Sequence, residues 1–87
     1  MIRVGHLTVD FVENKLLAFL SIGNEIVFSS GSVSDIAKEI RRRGITLVGL
    51  DNGASFTVPS TYKSMASVSK YSSHNNFFIR RLISECM

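Results

Sequence analysis

Two groups of residues in this sequence have side chains that can hold phosphate groups and stack on bases. Arg41, Arg42 and Arg43 are consecutive, and the C-terminal third interleaves basic residues with Tyr and Phe. Cations that hold phosphates, placed beside aromatic faces that stack on bases, are typical of surfaces that bind RNA or other single strands. The sequence therefore predicts a nucleic-acid-binding set made of Arg41, Arg42, Arg43, Lys70, Tyr71, Phe77, Arg80 and Arg81.

The distribution of charge agrees with this set but admits a simpler interpretation. Residues 1–51 are neutral, so the net charge of +3 arises in residues 52–87, where Glu85 is the only acid. A charge of this size also keeps a small domain in solution, and arginines at the C-terminus of a helix complement its dipole. The sequence leaves both interpretations open, an acidic partner and plain solvation.

The residues that a metal site or a nucleophilic site requires do not occur together. A zinc site takes three or four His, Cys or carboxylate ligands, whereas this chain has two histidines, 68 positions apart, and one cysteine. His74 is the histidine nearer to Cys86, but Cys86 is the penultimate residue, where a small apolar residue that helps a helix to pack is expected. We therefore expect no catalytic residue, no metal and no cofactor, and a protein that is not an enzyme.

The composition limits the class of protein. A chain of 87 residues is expected to form one small domain, 1–87, and a single cysteine cannot form an internal disulfide, which favours a reducing, cytoplasmic location. The longest apolar run, Leu16–Leu20, is too short to span a membrane. The apolar share of 45% and the mean hydropathy of +0.20 are high for so short a chain, so we expect apolar surface that a homo-oligomer covers.

These side chains need elements to position them, and the first third of the chain has the pattern of strands. Leu7, Val9 and Phe11 alternate with polar residues, and a bulge at Gly5-His6 is expected because the preceding apolar residues have the opposite parity. The run Leu16–Ile22 is apolar on both parities, which predicts a central strand with both faces covered. Gly23-Asn24 then predicts a two-residue hairpin turn into a third strand.

A helix follows, from about residue 33 to 43. Its apolar residues fall at helical spacing, Ser32 or Ser34 can cap its start, and Gly44 can end it: the stripe comprises Val33, Ile36, Ala37 and Ile40. The segment Ser29–Ser32 before this helix could also hold an anion on backbone N–H groups. However, it has neither the second glycine nor the lysine of a P-loop, so capping is the simpler interpretation.

The remaining elements are a hairpin, a loop and a second amphipathic helix. Residues 45–58 predict two strands around Asn52-Gly53, closed by Pro59, and residues 60–73 predict a loop with one helical turn. Phe78, Leu82 and Cys86 recur every fourth residue, which predicts a helix over 76–86 that Asn75 or Asn76 can cap.

One part of the chain resembles a known family. Ile36–Ile40 through Gly44, followed by Phe56–Pro59, is similar to the helix, hairpin and proline stretch of HicA-type RNA-cleaving toxins. The resemblance covers about a third of the chain. It implies a catalytic histidine in the hairpin, but residues 47–56 contain none, which argues against nuclease activity.

Together these patterns predict an α+β domain with a mostly antiparallel five-stranded sheet and two amphipathic helices, in the order βββ-α-ββ-α. The expected function is that of a small binding or regulatory module that acts on a macromolecular partner. That partner is nucleic acid, RNA above all, or a protein that the module inhibits or recruits. The alternatives are a homo-oligomeric protein-interaction subunit with no nucleic-acid role and, further off, a small enzyme whose site is shared across a dimer.

Overall fold

A computed structural model describes residues 2–51, 53–69 and 76–87 as a two-layer α+β domain. Five strands form one sheet, and the described helices form the second layer. The elements in chain order are β1 Val4–Val12, β2 Lys15–Ile22, β3 Glu25–Ser30, α1 Val33–Arg42, β4 Leu47–Leu50, β5 Ser55–Thr57, α2 Tyr62–Ser69 and α3 Asn76–Glu85.

The sheet has the strand order β3-β2-β1-β4-β5. Three of its neighbouring pairs are antiparallel, as the sequence predicts, whereas β1 and β4 are parallel, with Val4 opposite Leu47 and Leu7 opposite Leu50. The parallel pair arises because α1 crosses over between β3 and β4, and a helical crossover can return the chain in the same direction. The sheet is therefore mixed.

Two-residue turns fix the register of the first three strands. Glu13 and Asn14 both adopt positive φ, 52° and 64°, which is the backbone of a type I′ turn. Gly23 takes φ 63° at the first position of the next turn, at the place that the sequence predicts. The only register shift in this meander lies between Leu20 and Ser21, so the bulge expected at Gly5-His6 is wrong. Val4 simply points to the opposite face from Leu7.

The core lies on one face of the sheet, beneath the helices. In β1, Leu7 and Val9 are buried while His6 and Thr8 between them are half-buried, and in β2, Ala18 and Leu20 are buried while Phe19 is half-buried. Strand β2 lies between β3 and β1, as a central strand should, but its second face is only partly covered, since Leu17 and Phe19 are half-buried. Its apolar residues of odd number lie on the sheet face that points away from the helices.

Helix α1 follows its sequence signals closely. The Ser32 hydroxyl accepts a hydrogen bond from the Asp35 backbone N–H, and Gly44, with φ 68°, allows the chain to turn out of the helix. Ile36 and Ile40 are both fully buried, as their spacing predicts. Apolar burial on this stripe is what holds α1 against the sheet and α3.

The C-terminal region contains one helix more than the sequence predicts. Tyr62–Ser69 forms helix α2 where we expected a loop with a single helical turn, and α2 packs on α3 and β5. Tertiary packing can stabilise a helix of weak periodicity, since most helical stability in proteins comes from such contacts. Helix α3 has the predicted extent within one residue, with Phe78, Leu82, Ile83 and Cys86 buried. Among the described residues, no helix combines the length and the apolar character that crossing a membrane requires.

Candidate nucleic-acid interface

Positive and negative side chains are separated between the two layers of the domain. The helices, with Arg43 at the C-cap of α1, contain seven basic residues against three acids: Lys38, Arg41, Arg42, Arg43, Lys63, Arg80 and Arg81 against Asp35, Glu39 and Glu85. The strands, their turns and the residue before β1 contain Lys15 and Arg3 against Asp10, Glu13, Glu25 and Asp51. The helical layer is therefore strongly positive and the sheet layer negative.

The predicted arginines at the end of α1 are held by protein groups. Glu39 accepts from Nε and Nη2 of Arg42 at 2.8 and 2.9 Å and from Nε of Arg43 at 2.8 Å. Its side chain is only 16% exposed. The hydrogen bond from Arg42, followed by that from Arg43 and their charges, lowers the pKa of Glu39 from 4.5 to about 2, although burial opposes the shift. The pair likewise raises the pKa of Arg42.

Two further guanidinium groups complete an arginine cluster at this end of the helical layer. Arg41 donates from Nη1 to the Glu85 carbonyl oxygen at 2.7 Å, and Arg3 donates from Nη1 to the Arg43 carbonyl oxygen at 2.6 Å. The arginine cluster, Arg3 with Arg41–Arg43, borders a depression of about 400 Å³ that Gly44 also lines. Arg3 is missing from the sequence-predicted set because its 40-residue separation from Arg43 gives no local signal.

The outward side of α3 brings together three of the predicted residues. Phe77, Arg80 and Arg81 line a shallow depression of about 230 Å³ with Ser84. Phe77 is 70% exposed, and neither guanidinium group forms a hydrogen bond or ion pair with another described residue. The three side chains are thus accessible, with the guanidinium donors of Arg80 and Arg81 unused among the residues that the structure describes.

A second groove connects α3 with the start of α1. Leu16, Ser32 and Ser34 line it together with Phe77 and Arg81, and its volume is about 450 Å³. Because residues four apart lie on the same side of a helix, Arg81 is one turn, about 6 Å, from Glu85, whose carbonyl oxygen holds Arg41. The α3 face and the arginine cluster are therefore neighbours and together form a strip whose net charge is positive, although the Glu85 carboxylate lies between Arg81 and Arg41.

Cys86 lies in the core and not on this strip. Lys70 and Tyr71 lie outside the described residues. Cys86 is buried, and burial raises the pKa of its thiol, which is the environment of a packing residue and not of a nucleophile. Within residues 2–51, 53–69 and 76–87, no three His, Cys, Asp or Glu side chains are placed to hold a metal ion.

On the opposite side of the molecule, the sheet presents a polar group that sequence reasoning missed. His6 Nε2 lies 2.7 Å from Asp51 Oδ1, and the Thr8 hydroxyl donates to the same oxygen at 3.2 Å. These residues meet because β1 and β4 are parallel neighbours, which no local pattern indicates. The two side chains are 43% and 60% exposed, so their contact has the character of a surface hydrogen bond.

Comparison of the chain with protein-family models, with curated proteins and with solved structures finds no match. The resemblance to HicA-type toxins therefore gains no support, and function is inferred from the charges and contacts of this chain alone.

Proposed function

We propose that this protein is a small, non-enzymatic binding or regulatory module that binds nucleic acid on its helical layer, single-stranded RNA in preference to duplex DNA. The observation that carries the proposal is the separation of charge, with the basic excess on the helices and the acids on the sheet. A polyanion is attracted to the first surface and repelled by the second. The charges thereby define a single binding side.

The residues of the strip have different roles in this proposal. Arg80 and Arg81, whose guanidinium groups are free among the described residues, contact phosphates. Phe77 offers an exposed ring on which a base can stack, and such stacking suits a single strand because the bases of a duplex are already stacked. Arg41–Arg43 extend the phosphate path. Lys70 and Tyr71 belong to the proposed set on sequence grounds.

The test is fluorescence anisotropy with a labelled, mixed-sequence single-stranded RNA at several salt concentrations. Phosphate contacts release counterions, so the affinity is expected to fall with salt at a log–log slope of about −0.7 per contacted phosphate. Arg80→Gln should weaken binding and flatten the slope. Lys15→Gln is the matched control, because it removes the same charge from the sheet layer and should leave both quantities unchanged.

A second pair of variants tests stacking. Phe77→Ala should weaken binding by about 1–3 kcal/mol, or roughly 5- to 150-fold, if a base stacks on the ring. Tyr62→Ala removes an aromatic ring that is 82% exposed on α2 and should have little effect. Absence of binding below about 100 μM at 150 mM salt, weaker than ordinary non-specific association, would rule out the nucleic-acid function.

A second candidate function is a homo-oligomeric protein-interaction subunit, and one observation favours it. The sheet face that points away from the helices carries Val4 and Ile26, which are 51% and 62% exposed, beside the half-buried Leu17, Phe19 and Leu47. Apolar surface of this kind is commonly covered by a partner. A second copy that packs on this face would leave the helical layer free, so the two candidates are compatible.

A further inference from the structure

The depression bordered by the arginine cluster is lined by four arginines and Gly44, a composition that the fold alone does not require. Arg3 reaches it from the start of β1, where its backbone carbonyl accepts from the Thr46 N–H at 2.9 Å, while Arg41–Arg43 reach it from the end of α1. Four arginines from two distant parts of the chain therefore line one concave site of about 400 Å³.

Each guanidinium group is anchored but keeps donors to spare. Arginine has five N–H donors. Arg3 uses one donor, to the Arg43 carbonyl, and Arg41 uses one, to the Glu85 carbonyl. Arg42 and Arg43 use two donors each. Anchoring fixes the position of the side chains before a ligand arrives, which lowers the entropy cost of binding. Among the residues that the structure describes, most guanidinium N–H donors of the cluster have no protein acceptor.

The charge at this site is far from balanced. Glu39 is the one carboxylate that pairs with the cluster among the described residues, and the dipoles of α1 and α3 each add about half a negative charge at the C-terminal ends that Arg41 joins. Four positive charges thus face roughly two negative ones. An anion bound in the depression would relieve the repulsion among the guanidinium groups.

We infer that this depression binds a terminal phosphate group and selects it over an internal phosphodiester. A phosphodiester carries a single negative charge, whereas a terminal phosphate carries nearly two near pH 7, as for a phosphorylated side chain, and has three oxygens for several arginine donors. A concave site with excess charge favours the denser anion. As a site for the 5′-phosphorylated end of an RNA, the depression rests on the proposed function. Free pyrophosphate offers the same terminal-phosphate chemistry and is the other ligand that would fit.

The first experimental arm compares one RNA sequence, labelled at its 3′ end, with a 5′-hydroxyl or a 5′-monophosphate. We expect the phosphorylated strand to bind at least about ten-fold more tightly at 150 mM salt, the effect of one additional set of charged hydrogen bonds. Arg3→Gln should abolish this preference, so that the two strands bind that variant with the same affinity. Lys63→Gln, which removes the same charge from α2, should keep the preference.

The second arm uses inorganic pyrophosphate without RNA. At roughly five times its Kd, pyrophosphate should raise the melting temperature by about 4–8 °C relative to sodium chloride of equal ionic strength. Arg3→Gln should lose this shift while Lys63→Gln keeps it. Circular dichroism verifies that each variant is folded, and Arg41→Gln replaces Arg3→Gln if the latter is not.

The outcomes separate this inference from the proposed function. Equal affinity for both RNA ends, with no Arg3-dependent pyrophosphate shift, overturns the terminal-phosphate site even if RNA still binds through Arg80. A pyrophosphate shift that depends on Arg3, without any RNA binding, supports the site and rules out the RNA function. If Lys63→Gln acts as strongly as Arg3→Gln, general charge accounts for the effect and the assigned site is wrong.

Discussion

Arg41 Nη1 donates a hydrogen bond of 2.7 Å to the backbone carbonyl oxygen of Glu85 and so joins the C-terminal ends of α1 and α3. The carbonyls in the last turn of a helix have no partner within that helix, and Arg41 satisfies one of them from 44 positions away. This contact both fixes the relative position of the two helices at that end and holds a guanidinium group within the positive strip.

Replacement of Arg41 by Met, which keeps much of the aliphatic stem, should reduce the free energy of unfolding by about 1 kcal/mol because a charged hydrogen bond to a helix end is lost. For a chain of this length that is a fall of about 4–8 °C in melting temperature. Arg80→Met is the control, since Arg80 bonds to no other described residue. Equal melting temperatures for the two variants would show that the Arg41–Glu85 contact does not stabilise the fold.

The core of α1 provides a prediction for stability. Ile40 is fully buried, so Ile40→Ala should cost about 2–5 kcal/mol through lost burial and the cavity left behind. Ile26→Ala deletes the same atoms from a side chain that is 62% exposed and should change stability by about 0.5 kcal/mol at most. Urea denaturation of both variants measures the difference. A small effect at Ile40 would contradict the packing of α1.

The pKa of Glu39 predicts a dependence of stability on pH. Because its folded pKa, about 2, is below its usual value of 4.5, Glu39 stabilises the fold fully above the usual value and loses this contribution as pH falls towards 2. Glu39→Gln should therefore be less stable than the parent at pH 6, and the gap should narrow between pH 4.5 and 2. Urea titrations at intervals of half a pH unit measure it. Glu25→Gln, which removes a carboxylate without an ion pair to the described residues, should show no such narrowing.

Gly44 ends α1 in the left-handed region, at φ 68°, and a Cβ built there meets no atom within 4 Å. Any cost of substitution therefore arises from the backbone. Gly44→Ala should destabilise the protein by about 1–2 kcal/mol, and Gly44→Asn by less, since asparagine tolerates this conformation better. Thermal denaturation of the two variants measures these changes in stability. A Gly44→Ala variant more stable than the parent would contradict the turn geometry.

The apolar sheet face predicts self-association. Light scattering at high micromolar concentration should give a mass above that of one chain, and Ile26→Ser with Val4→Ser should return it towards a single chain. Tyr62→Ser, an equally polar change on the helical layer, should not. If the parent protein has the mass of one chain at every concentration, the proposed homo-oligomer is ruled out.

Local sequence patterns determine much of this fold. The limits of α1, its Ser32 cap, its Gly44 end and the burial of Ile36 and Ile40 follow from helical periodicity and capping, which act over a few residues. The same holds for the meander, because the turns at residues 13–14 and 23–24 set its register. The positions of Phe77, Arg80 and Arg81 on the outside of α3 follow from the apolar stripe of Phe78 and Leu82.

Only the tertiary structure decided the rest. Two of these features join residues 40 or more positions apart. Strand β1 pairs with β4 in parallel, which brings His6 to Asp51, and Arg3 approaches Arg43. Helix α2 likewise depends on its packing against α3 and β5. Periodicity shows which face of an element is apolar, but it does not show which distant element covers that face. The separation of charge between the two layers therefore depends on the tertiary structure, which places the described helices on one side of the sheet.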